Sequence, residues 1–254
     1  MKQQIMDQLK AQKGHVGFYY KNLVTGQQIA YQEEEAFLAA SVIKLPIFMY
    51  LSLLDAEGKV SMTEKITVKE EDKLPICGAL TLFTDEPVCD IRTLCNLMIS
   101  LSDNTATNLL IRRLGIEAYR EGFLRMGLKG TVLERYLFDT QAAEAGAENK
   151  IVLREMAMLL EQIYRREFVS PKVSQKIEET LCLQQIQHKI RGILGEEVRA
   201  AHKTGEDDGL TNDVGIIFAK QPFILCCAAH DTCVPEFEDF IRHTAAALYK
   251  ECNQ

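Results

Sequence analysis

No apolar run in this chain approaches the roughly 18–20 residues that a bilayer-spanning helix needs, which argues against a helical membrane span. The opening segment, Met1 to Gly14, is polar and charged and lacks the apolar stretch of a secretory leader. The expected location is therefore cytoplasmic, with an exported form whose leader has been removed as the alternative. Positive charge is also in short supply. Lys and Arg number 29 against 36 Asp and Glu, a formal net charge of -7. Phosphate binding needs a basic surface, so neither nucleic acid nor an anionic membrane surface is an expected partner. There is no C-x-x-C pair and no Cys/His spacing of the zinc-finger kind. The five histidines (His15, His188, His202, His230, His243) show no metal-ligand spacing either. Neither a metal nor a cofactor is expected. Repeats, low-complexity segments and linkers are missing too.

What remains is an ordinary globular composition, 47% hydrophobic and 26% charged, in a chain long enough to bury a substantial core as one large domain or two small ones. Eight cysteines need an account. Several sit in apolar surroundings, notably Cys226 and Cys227 within Phe223 to Ala229, where a free thiol acts as a small hydrophobe. Reduced structural thiols are expected, with a disulfide between two of Cys77, Cys89 and Cys95 as the alternative.

Ile5, Met6 and Leu9 have helical spacing. Gly14–Tyr20 and Gln28–Gln32 flank a turn and read as a hairpin. Ser41–Leu54 carries apolar residues at helical spacing. From Cys89 to Gly195 the pattern is mostly helical, with candidate helices at Ile91–Leu101, Asn104–Leu114, Ile116–Met126, Leu153–Arg166 and Pro171–Gln184. Gly127 to Lys150 shows little periodicity, and irregular stretches of that length are often functional. Strands return at Val198–Thr204, Asp213–Ala219 and Phe223–His230, before a closing helix from Val234 to Glu251. The expected fold class is α/β (α+β): an antiparallel sheet built from both termini with flanking helices, and an all-α lobe inserted between. The expected domains are 1–40 with 190–254 for the sheet and 41–189 for the helices, with the active site at their junction.

Three short motifs supply complementary chemistry. In Ser41-Val42-Ile43-Lys44 the serine and lysine lie three apart, hence on one helix face. A serine hydroxyl needs a nearby base, and a lysine serves as one only when burial or a neighbouring cation lowers its pKa. Apolar flanks, Phe37 to Ala40 and Leu45 to Phe48, favour that burial, and Lys203 is a candidate neighbouring cation. Placing Ser41 in the first turn of a helix would also offer free backbone N–H groups to a developing oxyanion. Ser102-Asp103-Asn104 lies between two expected helices, where Ser and Asp are ordinary caps. Ser102 would shuttle a proton and Asn104 would present an amide to substrate, while Asp103 would fix the turn. Lys203-Thr204-Gly205 ends an expected strand: Lys203 offers a cation to a carboxylate, Thr204 a hydroxyl, and Gly205 a close approach to the strand edge. His202 should point to the other strand face.

These motifs, in this order and at these intervals, resemble those of class A β-lactamases and their relatives among the penicillin-recognising serine hydrolases. Phe37-Leu38-Ala39-Ala40-Ser41 and Thr211-Asn212-Asp213-Val214-Gly215 are similar to the family's approach to the nucleophile and its strand after the third motif. The resemblance implies catalytic roles for Ser41, Lys44, Ser102 and Lys203, substrate contacts from Asn104, Thr204 and Gly205, and a small-molecule substrate, a β-lactam or a peptide-like amide or ester. It also implies a glutamate two residues after an arginine on the middle loop, to direct the deacylating water. Here Arg135 matches the arginine, but Leu137 stands in the glutamate's place. Asp139 is one substitute base; Arg135 is expected to pair with Asp139 or Glu148. The alternatives are a penicillin-binding D-alanyl peptidase or esterase that releases β-lactams slowly, and a non-catalytic binding or sensor protein.

Overall fold

The computed structural model describes residues 1–254. Helix α1 (Lys2–Ala11) leads into strand β1 (His15–Asn22), a turn and β2 (Gln28–Tyr31). The short strand β3 (Ala36–Leu38) enters a 3-10 turn (Ala40–Ile43) and then helix α2 (Lys44–Ala56). Next come β4 (Lys65–Thr67), β5 (Val88–Asp90), and helices α3 (Ile91–Ser100), α4 (Asn104–Leu114) and α5 (Ile116–Arg125). After them lie the short α6 (Thr140–Glu144), β6 (Lys150–Val152), α7 (Leu153–Tyr164) and α8 (Pro171–Leu181). Strands β7 (Ala200–Asp207), β8 (Leu210–Ile217) and β9 (Phe223–His230) precede the last helix, α9 (Val234–Cys252).

The first and last strands combine in one five-stranded antiparallel sheet of order β2-β1-β9-β8-β7. That is the sheet expected from the chain's two ends, with β7 at an edge. β8 is buried along its whole length and β9 nearly so, because both faces are covered. Alternation then sends neighbours to opposite cores. Cys226 joins the larger cluster of 47 buried residues on the side of α2, α7 and α8. Cys227 joins the cluster of 19 beneath α1 and α9. All eight cysteines are free thiols. No helix is long and apolar enough to cross a membrane.

Helix ends follow local chemistry. Asp90, Asp103 and Ser170 each accept a backbone N–H as N-caps of α3, α4 and α8, and Pro171 opens α8 where no N–H is missed. Two expectations need correction. Ser41 lies not in an α-helix but in the 3-10 turn before α2, because the chain swings out of β3 through Ala40 at φ 40°. Lys203-Thr204-Gly205 lies within β7 rather than at its end. Pairing continues through Asp207 opposite Leu210, closed by the two-residue turn Asp208-Gly209 with Gly209 at φ 64°. Strands β3, β4, β5 and β6 pair as two small ribbons; at three residues each they are too short for a period of two to register.

The β3–β6 ribbon carries the chain into the Ser41 turn, and the buried ring of Phe37 holds it against β1 at Gly17. A Cβ at Gly17 would overlap that ring. Gly17→Ala is therefore expected to lower stability by about 1–3 kcal/mol, read from the midpoint of urea unfolding. An unchanged midpoint would show that the Phe37 seat is loose.

Candidate active site

Sequence motifs far apart in the chain converge around one buried amine. Lys44, with no exposed surface, places Nζ 2.8 Å from Ser41 Oγ, 2.7 Å from the Ser102 carbonyl oxygen, 3.0 Å from Ser102 Oγ and 2.8 Å from Asn104 Oδ1. The carbonyl and the amide oxygen only accept. A neutral amine gives its two N–H groups to these and keeps its lone pair for a serine hydroxyl. Burial lowers the Lys44 pKa well below the lysine range, and Lys203 pushes it further down; Cys77 and Asp103 oppose.

Ser102 sits at φ 55°, a left-handed conformation uncommon for a residue with a side chain. Its carbonyl accepts from Lys44 while its hydroxyl lies between the two amines, 3.0 Å from Lys44 and 3.1 Å from Lys203. A hydroxyl both donates and accepts, so Ser102 bridges the two lysines. Lys203, fully buried, also donates to the Thr204 carbonyl at 2.9 Å. Burial lowers its pKa to about 7, helped by Lys189 and opposed by Asp213 and Glu206. The folded value lies below the unfolded one, so the stability penalty of charging Lys203 is full below about pH 7. Stability gains as pH rises from there towards the ordinary lysine range. An anion beside Lys203 restores its proton.

Asp103 fixes the turn, as expected. Its Oδ1 caps α4 by accepting from Ala106 N at 2.8 Å, and its Oδ2 accepts from Ala79 N and Leu80 N at 2.8 and 2.9 Å. Gly78, at φ 114°, packs where a Cβ would strike that carboxylate. Asn104 turns its amide N–H to the Ile76 carbonyl at 2.9 Å, which leaves its oxygen for Lys44.

Edge strand β7 lies along the Ser41 turn. A Cβ at Gly205 would come within 3.0 Å of the Ala39 oxygen and 3.2 Å of Ser41 N, so glycine keeps this approach open. Thr204 follows the motif into the same strand, 1% exposed. His202 takes the opposite face, its Nδ1 3.0 Å from buried Asp213.

Four supporting side chains escaped the sequence reading. Asn212 donates to the Leu38 and Ala39 carbonyls at 2.9 and 3.1 Å and accepts from Ala229 N at 3.2 Å, pinning the Ser41 turn to β8 and β9. Lys189, fully buried, donates to the Gly205 and Asn212 carbonyls at 2.9 and 3.1 Å. In sequence it sits among charged residues and looks solvated. Asn149 binds Glu134 N and Arg135 N through its oxygen, and its backbone oxygen accepts from Ala39 N. Asn108 clasps both backbone groups of Leu137 at 2.9 Å. Nothing marks an asparagine as a clamp before its partners are known.

The middle loop is thus firmly held, but without a free base at Leu137. Arg135 pairs with Glu148 at 2.9 and 3.1 Å. Asp139 Oδ1 accepts from Ala142 N at 3.0 Å as the cap of α6.

Comparison with known proteins gives a consistent result. A family model described as the beta-lactamase enzyme family matches residues 1–252. A beta-lactamase from Streptomyces lavendulae is 30% identical over 150 residues, covering 56% of this chain and 49% of that enzyme. The chain thus spans about half the length of that curated relative. The structure of PBP-A superposes with a TM-score of 0.88 at 27% identity, covering 98% of this chain and 94% of the other. A leucine-to-glutamate mutant of PBP-A, solved as an acyl-enzyme complex with penicillin G, gives a TM-score of 0.88 at 26% identity, with 98% and 95% coverage.

Asp103 holds three backbone N–H groups that have no other acceptor here. Asp103→Ala is expected to cost about 2–4 kcal/mol, the loss of a helix cap plus charged hydrogen bonds, and to open the chain near Ala79 to proteolysis. Unchanged urea stability with an intact, protease-resistant loop would contradict the role.

Proposed function

Since the chain belongs to the beta-lactamase enzyme family, we propose that it is a serine hydrolase acylated at Ser41 by a β-lactam or a related amide or ester. Ser41 Oγ attacks the carbonyl carbon and its proton passes to the neutral Lys44 amine. The proton continues through Ser102 to the leaving nitrogen as the C–N bond breaks, leaving an ester on Ser41. Lys203 and the Thr204 hydroxyl hold the substrate carboxylate; the Asn104 amide and the Gly205 edge hold the acyl side. The observation that carries this reading is the contact set of Lys44: a buried amine within 2.8 Å of a serine hydroxyl, its N–H groups already directed to pure acceptors. Parts 1–40 with 190–254 and 41–189 act in this proposal as two domains with the site at their junction. So complete a proton path weighs against a non-catalytic sensor.

A second reading, a penicillin-binding peptidase or esterase that releases β-lactams slowly, rests on Leu137. The side chain that this loop presents there cannot take a proton from water, and Asp139 is engaged as a cap. The leucine-to-glutamate mutant of PBP-A bound as an acyl-enzyme supports examining the same change here. With penicillin G, intact-mass spectrometry over time is expected to show one adduct on the wild-type chain, none on Ser41→Gly, and faster loss of the adduct from Leu137→Glu. General-base help accounts for an acceleration of about 10²–10⁴-fold. No wild-type adduct would refute acylation. Rapid wild-type release unaffected by Leu137→Glu would refute slow deacylation.

A further inference from the structure

Protein interiors are close-packed, and voids larger than a water molecule are few. One exception lies where α2, α3 and α8 pack against one another. Small side chains stand at this contact: Ser52 on α2, Cys95 on α3 and Thr180 on α8, all buried. They leave a cavity of about 290 Å³. Ser52 and Asp55 lie two to three turns beyond Lys44 on α2, about 12–17 Å along the helix. No residue that lines the cavity belongs to the Ser41 site.

Its floor is apolar and its rim is charged. Phe48, Met62 and Cys95 are buried at the floor, while Val173 and Leu183 add partly exposed apolar surface. Around them stand two cations, Arg92 and Lys176, and two acids, Asp55 and Glu179. The four form no ion pair, although Lys176 and Glu179 are one turn apart on α8. Arg92 is half-buried, yet its guanidinium donates to nothing. Asp55 keeps one oxygen free, the other accepting from Met62 N at 3.1 Å. Glu179 likewise uses only one oxygen, for the Gln175 amide at 2.8 Å. Burial raises the Cys95 pKa, which Arg92 lowers and Asp55 raises further, so both charges act at the floor.

We propose that this cavity binds a free α-amino acid with an apolar side chain. The floor takes the side chain, Arg92 and Lys176 take the carboxylate, and Asp55 and Glu179 take the ammonium. A ligand with a carboxylate alone leaves the two acids unmatched, and an amine leaves the two cations so. A zwitterion matches both. Size agrees with this: an apolar cavity of ~150 Å³ takes a benzene ring, so 290 Å³ holds a ring and its charged end. The inference stands apart from acylation at Ser41.

NMR of the full chain labelled at the methionine methyl groups tests it, with the Met62 signal assigned through Met62→Leu. The probes are L-phenylalanine, 3-phenylpropionate, which lacks the ammonium, and phenethylamine, which lacks the carboxylate. Phenylalanine is expected to shift the Met62 signal saturably, with a Kd on the order of 1 mM. It should bind at least ~10-fold more tightly than either other compound, the scale at which hydrogen bonds to charged groups discriminate. Arg92→Gln should weaken phenylalanine and 3-phenylpropionate but spare phenethylamine. Asp55→Asn, which keeps an oxygen for Met62 N, should weaken phenylalanine and phenethylamine only. No saturable shift at Met62, equal affinity for the three compounds, or variants without these effects overturns the inference. Ser41→Gly, which cannot form the adduct, should bind phenylalanine as the wild type does; loss of binding there would overturn the separate site.

Discussion

Burial of Lys44 is the constraint on which the rest of the site depends. An ammonium removed from water must either find charge compensation or lose its proton. Here the surroundings offer two neutral oxygens, two hydroxyls and a second lysine, and no carboxylate in contact. The proton is therefore held weakly, and the amine that results has its lone pair free for Ser41. Every other feature of the centre keeps that arrangement from relaxing. Ser102 is bent into a left-handed conformation so that its carbonyl and hydroxyl both face the amine, and Asn104 is locked in one amide orientation by the Ile76 carbonyl.

The sheet does the corresponding work for Ser41. β7 is an edge strand that runs along the Ser41 turn, and Gly205 leaves room beside Ser41 N. Asn212 ties the Leu38 and Ala39 carbonyls to β8, and Lys189 braces the β7–β8 pair. Lys189 also raises the local positive potential, one reason why Lys203 gives up its proton near neutrality. The second lysine in turn discourages a charge on Lys44.

Much of this was legible in the chain. Period-two and helical patterns mark the long strands and helices to within a few residues, since each buries a broad apolar face. The order Ser41, Lys44, Ser102, Asn104, Lys203 points to one chemistry, and the structure brings these five together. What the chain concealed falls into two kinds. The three-residue strands and the 3-10 turn at Ser41 arise from tertiary pairing and one strained residue, Ala40, and have no periodic signature. The polar clamps Asn108, Asn149, Asn212 and Lys189 are ordinary surface-type residues whose burial depends on partners remote in sequence. Of the two partners expected for Arg135, Asp139 and Glu148, it is Glu148 that pairs with it, and the opposite facing of His202 and Lys203 followed from strand alternation.

In the proposed mechanism Leu137 separates the two half-reactions. The contacts of Lys44 serve formation of an ester on Ser41 in that mechanism, while Leu137, on the loop clasped by Asn108, has no basic group with which to activate water. The claim beneath both halves is the protonation state of the buried amines. Carbon-13 NMR of protein labelled at lysine Cε, with signals assigned through Lys44→Met and Lys203→Met variants, reads it directly. The Lys44 signal is expected to have the shift of a neutral amine at neutral pH, and the Lys203 signal to titrate at about 7. Ammonium shifts for both residues persisting up to the ordinary lysine range near pH 10.4 would contradict the account.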